Sequence, residues 1–207
     1  MGIGGTLAKH VAAGDEVHIC IIADALPMGD RQTDCTVIHN RTRKACQTLG
    51  VSSVRFAGLP DGKLDTLPFH QIIDWIERVA QELNPTTVYT HHWGDINSEH
   101  RLVHQAVTSA FRPTPNGTAT SLLTYETPSS TDWQIANREL SFVPNVYVDV
   151  TETLEIKMKA LDYYAEELKT FPHVRSKEAI RALALWRGAS VGLHAAEAFY
   201  LMREVRR

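Results

Sequence analysis

A chain of 207 residues, 43% hydrophobic and 22% charged, has enough material for a sizeable core and the composition of an ordinary globular protein. Its net charge of -3 gives no basic footprint for nucleic acid. No run approaches the roughly eighteen apolar residues that a membrane-spanning helix needs, and the opening MGIGGTLAKH lacks the charged segment and apolar run of a secretory signal.

Taken in order, GIGGT followed by LAKHVAAG reads as a glycine-rich turn opening a helix that stops at Gly14. Helix N-termini of this kind offer free N–H groups to anions. The dinucleotide pattern is incomplete, however, and lacks the preceding strand it requires, so nucleotide binding is not expected. Asp15 to Asp24 is an apolar, β-branched run predicting a strand buried on both faces. Pro27, Gly29 and Asp30 then begin a polar loop, either a pocket rim or plain surface. Thr36 to Leu49 reads as a helix with Arg41, Arg43 and Lys44 on a solvated face, closed by Gly50. The cysteines, Cys20, Cys35 and Cys46, show no C-x-x-C spacing. Cys20 and Cys46 are therefore expected to be reduced packing residues of a cytoplasmic protein.

Ser53 to Leu59 predicts a second strand, and PDGKLD a turn in which Asp61 is either a turn-former or a site residue at a strand's carboxyl end. Phe69 to Leu83 has helical period and ends at Asn84-Pro85. A strand over Thr86 to Thr90 follows. A helix from His100 then carries Leu102, Val103, Ala106, Val107 and Ala110 at core spacing and stops before Pro113. SLLTYE and NVYVDV read as strands. Thr153 to Leu168 reads as an amphipathic helix with Lys157, Lys159, Glu166 and Glu167 toward water, and Arg175 to Trp186 as another helix. Gly192 to Tyr200 is small and apolar, with no element assigned. Arg187 reads as a brace for the last helix and Glu197 as its partner. The alternation of helix and strand predicts an α/β fold with a mostly parallel sheet covered on both faces. No linker divides it, so residues 1–207 are expected to form one domain.

The densest chemistry lies in YTHHWGDINSEHRLVHQAV, residues 89–107, which gathers His91, His92, Asp95, Asn97, Glu99 and His100 in ten positions. Open α/β sheets place their sites where the chain leaves a strand's carboxyl end, and imidazoles with carboxylates suit zinc or another divalent ion. A soluble loop without a site is the alternative. Asp95 and Asn97 either touch substrate hydroxyls or order the loop, and Arg101 is a substrate contact or a surface cation. Glu126, Ser129 and Ser130 follow a strand, where loop-ordering hydrogen bonds explain them equally well. His104, one helical turn beyond His100, reads as packing.

HHWGDINSEHRLVHQAV, LPDGKLD, TYETPSSTDW, FVPNVYVDV, HVRSKEAIRALALWRGASVG and AAEAF occur in the order seen in the PIG-L/LmbE-type deacetylases, and GGTLAKHVAAGDEVHI resembles part of that family's opening block. The resemblance covers nearly the whole chain. It implies a Rossmann-like, LmbE-like fold and a zinc-dependent hydrolase removing N-acetyl groups from N-acetylglucosamine-like sugars or conjugates. Within it His100 matches a zinc ligand. Glu99 and Asn97 occupy catalytic positions, although Asn97 stands where many relatives have a titratable histidine. Asp61, Asp95, Arg101, Glu126 and Ser129 are candidates for substrate binding. The family's Ala-His-Pro-Asp-Asp-Glu segment, which brings two zinc ligands and the general base, does not precede GIGGT here, where Met1 stands. The expectation is therefore a deacetylase whose truncated form lacks activity, or alternatively a non-catalytic binding or oligomerisation relative. An amino-sugar substrate, no nucleic acid, no membrane and a possible homo-oligomer complete the expectations.

Overall fold

The computed structural model describes residues 1–24, 35–115, 117–135 and 137–206. The loop expected to rim a pocket at Pro27, Gly29 and Asp30 lies outside the described residues. In chain order the elements are α1 (Gly4–Ala12), β1 (His18–Asp24), α2 (Cys35–Leu49), β2 (Ser53–Pro60), α3 (Phe69–Leu83), β3 (Thr87–His91), α4 (Ser98–Ala110), β4 (Ser121–Tyr125), β5 (Val146–Asp149), α5 (Leu154–Leu161), α6 (Lys177–Ala189) and β6 (Ala196–Glu204). Short 3-10 turns occupy Leu64–Thr66 and Asp162–Tyr164. The fold is α/β, as the alternating pattern requires.

Strands β1 and β2 pair in parallel, with His18 opposite Ser53. A second sheet has the order β3-β4-β6-β5. In it β3 and β4 run parallel, from Thr87 opposite Ser121 to His91 opposite Tyr125, while β4 and β6 run antiparallel. The sheet is thus not parallel throughout. Its antiparallel member comes from AEAFYLMRE, whose first four residues are all buried. A strand buried on both faces loses the two-residue alternation by which strands are read.

The chain divides into two compact units, Met1–Asp61 with Tyr147–Glu197, and Gly62–Val146 with Ala198–Arg207. In the first, Val150, Leu154, Met158, Leu161, Ile180, Ala184 and Ala195 form a buried cluster, and Ala8, Ala45, Leu49 and Ala160 form another. The predicted helix over 153–168 is shorter in fact. It passes into the 3-10 turn at Asp162, where the Tyr164 hydroxyl bonds Thr42 Oγ1 at 3.0 Å. Cys46 is buried, and burial pushes its thiol up to about 11. Cys20 is exposed instead of packed, opposite Arg55 in the β1–β2 register.

Two further expectations are corrected in this unit. Lys157 does not face water. It is 5% exposed, and its ammonium donates to Glu197 Oε1 at 2.6 Å and to the Gly2 carbonyl at 2.9 Å. Glu197 therefore pairs with a lysine of α5, where an arginine of α6 was expected. Its carboxylate also accepts the backbone N–H groups of Gly5 (3.0 Å) and Thr6 (2.7 Å). Ile3 gives α1 no side-chain cap, so the first turn's free N–H groups find their acceptor 191 and 192 residues away. The glycine-rich anion site anticipated at GIGGT takes the protein's own carboxylate.

This arrangement requires glycine at position 5. A Cβ there would lie 2.9 Å from Val150 Cβ and Cγ1 and 3.3 Å from Glu197 Oε1. Gly5→Ala is expected to destabilise the chain by about 1–3 kcal/mol through overpacking. Urea unfolding measures this, and an unchanged midpoint would refute the close approach.

In the second unit the apolar stripe Ile72, Ile76 and Val79 of α3 packs with α4, whose buried residues include Val103, Ala106 and Val107. Leu122, Leu123 and Phe199 fill the sheet beside them. Asn84 ends α3 in the left-handed region at φ 47, its N–H bonding the Ala80 carbonyl at 2.8 Å. Among the described residues no helix is long and apolar enough to cross a membrane.

Candidate functional site

The cluster begins where β3 ends, at the carboxyl edge that α/β sheets use for their sites. The chain bends through His92–Ile96 and enters α4. Gly94 lets the Leu140 backbone pass close to that bend, since a Cβ there would meet the Leu140 carbonyl oxygen at 2.1 Å. Asn97 caps the helix, its Oδ1 accepting Glu99 N–H at 2.9 Å. Arg101 clamps the bend from inside α4, donating to the carbonyls of Asp95 (2.6 Å) and Ile96 (2.8 Å). The Asn97 cap and the Arg101 clamp therefore fix the turn that carries His100.

Asp95 is the centre. Its side chain is wholly buried, with Oδ2 at 2.8 Å from His100 Nδ1 and Oδ1 accepting the Thr131 hydroxyl at 2.5 Å. A buried carboxylate is tolerable only when donors meet its charge, and here both oxygens are met. Because the carboxylate accepts, neutral His100 carries its proton on Nδ1 and presents Nε2. The His100 side chain is 20% exposed, so this nitrogen belongs to a partly open ring.

Three other imidazoles surround the pair. His91 stacks on His100 with ring centroids 4.1 Å apart and 20° between planes. His92 donates from Nε2 to the Leu140 carbonyl at 2.9 Å. His104 donates from Nδ1 to the His91 carbonyl at 2.9 Å, which bears out the packing role read for it. Burial is the largest cause holding all three below the ordinary histidine range, and it holds His91 well below. Burial also pushes the Tyr125 phenol upward, with the Asp95 charge adding to it.

These shifts fix a pH dependence. An imidazole whose folded pKa is depressed binds fewer protons when folded than unfolded, so stability rises with pH across the interval between the two values. As pH falls below about 6.5, the unfolded chain gains protons that folded His91, His92 and His104 refuse. The melting temperature is expected to fall steadily from pH 7 to pH 5, and replacing His104 by Gln should flatten that slope. A melting temperature constant over this interval would contradict buried, neutral rings.

The remaining candidates are distributed as follows. Glu99 Oε1 accepts Leu64 N–H at 3.3 Å, tying α4 to the 3-10 turn. Ser129 is buried at φ 69, and its N–H donates to Asp132 Oδ1 at 2.6 Å. Glu126 follows β4, and its charge acts on His92 to raise its pKa against the burial. Asp61 lies in the other unit, at the end of β2. The sequence reading passed over Thr131. It stands in the polar run PSSTDW, where nothing distinguishes one hydroxyl from its neighbours.

Zinc needs several donors in a near-closed shell. Among the described residues, no group of three His, Cys, Asp or Glu side chains is placed to hold a metal ion. His100 offers one ring nitrogen. Asp95 has both oxygens engaged, and His92 uses Nε2 on a carbonyl. The described residues do not by themselves make a zinc site.

Comparison with known proteins bears on the same region. The family model for PIG-L, GlcNAc-PI de-N-acetylase, matches residues 1–111. Among solved structures, the conserved protein TT1542 from Thermus thermophilus is similar at TM-score 0.77 and 22% identity, over 100% of this chain and 90% of that one. N,N'-diacetylchitobiose deacetylase from Pyrococcus horikoshii, complexed with its inhibitor MPG, is similar at TM-score 0.74 and 19% identity, over 98% and 78%. The 4-carboxy-2-hydroxymuconate hydratase GalB from Pseudomonas putida KT2440 is similar at TM-score 0.78 and 16% identity, over 100% and 92%. At such identities the likeness establishes the fold, and one fold here serves a deacetylase and a hydratase.

Proposed function

Because the chain belongs to the PIG-L family, matched over residues 1–111, we propose that it is a deacetylase-type hydrolase that removes the N-acetyl group of an N-acetylglucosamine-like sugar or conjugate. The observation that carries this reading is the His100 imidazole held at Nδ1 by a fully buried Asp95. Hydrolysing an amide requires water to add to the carbonyl carbon and a proton to reach the departing nitrogen. An imidazole whose Nδ1–H is fixed by a carboxylate presents Nε2 for such a proton transfer, or as a neutral ligand.

The family resemblance supports zinc as the cofactor, with His100 as one donor. The described residues do not complete its shell, so the part assigned to this chain is confined to its own groups. Asp95 orients His100, and Arg101 holds the bend. Asn97 and Glu99 serve by fixing the first turn of α4, and Glu126 and Ser129 contribute from the loop after β4. The proposed enzyme is cytoplasmic and acts on a small amino-sugar, with homo-oligomerisation as an open part of the proposal to test.

The test is release of free amine and acetate from N-acetylglucosamine and N,N'-diacetylchitobiose by the purified chain. Zinc content is measured by elemental mass spectrometry after exhaustive dialysis. Amine and acetate in equal amounts support the reading, and about one zinc per chain supports the cofactor. No amine from either sugar, with zinc supplied, would overturn the assigned activity.

A further inference from the structure

The hydrogen bonds behind Asp95 have a direction. Thr131 Oγ1 accepts the Thr127 backbone N–H at 2.7 Å and lies 2.5 Å from Asp95 Oδ1. A hydroxyl carries one proton. With a lone pair of that oxygen already taken by an N–H, the proton is directed onto the carboxylate. The carboxylate's other oxygen then takes the Nδ1–H of His100 at 2.8 Å. The chain of donors runs from Thr127 N–H through Thr131 Oγ–H to Asp95, and His100 Nδ1–H meets it from the other side.

The turn that carries Thr131 is itself fixed. The N–H groups of Ser130 and Thr131 both reach the Thr127 carbonyl at 3.0 Å, and Ser129 N–H reaches Asp132. Ile96 N–H donates to the Ser130 carbonyl at 3.0 Å, joining this turn to the bend that holds Asp95. Thr131 thus has little freedom, and Asp95, wholly buried, has no solvent to replace a lost donor.

We infer that Thr131 is a positioning residue, which through Asp95 fixes the His100 ring as a single tautomer with its proton on Nδ1 and Nε2 presented. Without the hydroxyl, Asp95 Oδ1 is left buried and unmet. The carboxylate then turns to share its remaining contact, and the ring loses the partner that selects its tautomer. The functional consequence rests on the reading of His100 as the working group; the tautomer does not.

The experiment is long-range proton–nitrogen correlation on the uniformly labelled 207-residue chain at about pH 8.5, above the ordinary histidine range of about 6.5. His100→Gln identifies the His100 signals by their disappearance. The wild-type chain is expected to show one tautomer, with Nδ1 protonated and Nε2 bare. Thr131→Val, equal in shape but without the hydroxyl, is expected to show both tautomers in exchange. Thr131→Ala carries the same expectation should the valine variant not fold, and Thr131→Ser should restore the wild-type pattern. A merely structural threonine would lower stability and leave the ring unchanged. A wild-type ring protonated on Nε2, or a folded Thr131→Val or Thr131→Ala chain with the unaltered wild-type pattern, would overturn the inference. In the deacetylase assay, Thr131→Val is expected to lower kcat about 10–100-fold, the usual effect of removing a group that supports a functional imidazole. A wild-type chain that releases no amine would remove the proposed activity and leave the tautomer result to decide Thr131.

Discussion

Glu197→Ala is expected to cost about 3–5 kcal/mol of stability, the cost of breaking a buried ion pair from one side. Three groups lose their acceptor together. The Lys157 ammonium, whose side chain is 6% exposed, keeps, among the described residues, the Gly2 carbonyl. The N–H groups of Gly5 and Thr6, at the positive end of α1, lose the carboxylate that caps them. No residue near Ile3 can substitute, since α1 has no side-chain cap of its own. Glu197→Gln keeps an oxygen for one N–H but leaves Lys157 charged, so an intermediate loss is expected. Lys157→Met in the Glu197→Gln background removes the stranded charge and should recover about half of that loss. Urea denaturation of the wild-type chain, Glu197→Gln, Lys157→Met and the double variant gives the coupling directly. Additive losses, with the double variant worse than either single one, would show that the pair is not a unit.

This pair also shows what a sequence conceals. Local signals were legible: Gly50 and Asn84 end their helices with positive φ (79 and 47), and α3 spans Phe69–Leu83 with its apolar stripe buried, as its period demands. The position of the His and acid cluster was legible for the same reason. It follows a short apolar strand, and its imidazoles and acids crowd into ten residues. Lys157 and Glu197 were misread because periodicity assigns a helix face only when that face has an outside. Lys157 meets Gly2 and Glu197 across 155 and 40 residues, separations no local pattern encodes. β6 was missed because a strand buried on both faces has no polar alternation. Thr131 was invisible because its meaning lies in a partner 36 residues away, and a hydroxyl among hydroxyls carries no mark.

His100→Ala is expected to lower the deacetylase kcat by about 10²–10⁴-fold, because the Nε2 it removes is the one nitrogen left either to move a proton or to hold the metal. α4 begins at an Asn97 cap, so the ring's Cα is fixed at the first turn. Asp95 then fixes the ring's rotation at Nδ1. Alanine removes the nitrogen and leaves the cap, the Arg101 clamp and the Thr131 bond in place, so binding should change less than turnover. Asp95→Asn tests the orienting half. Its amide has one accepting oxygen where the carboxylate has two. If that oxygen meets Thr131, the NH₂ faces the His100 nitrogen and selects the opposite tautomer, with the proton on Nε2. A loss in kcat of about 10²-fold or more is then expected, since a wrongly protonated imidazole must first exchange its proton. Because the carboxylate acts through the ring, the double variant should be no slower than His100→Ala alone. Initial-rate measurements of amine release decide it. Losses that multiply would mean that Asp95 touches the reaction independently of His100, and an unimpaired His100→Ala chain would place the chemistry elsewhere.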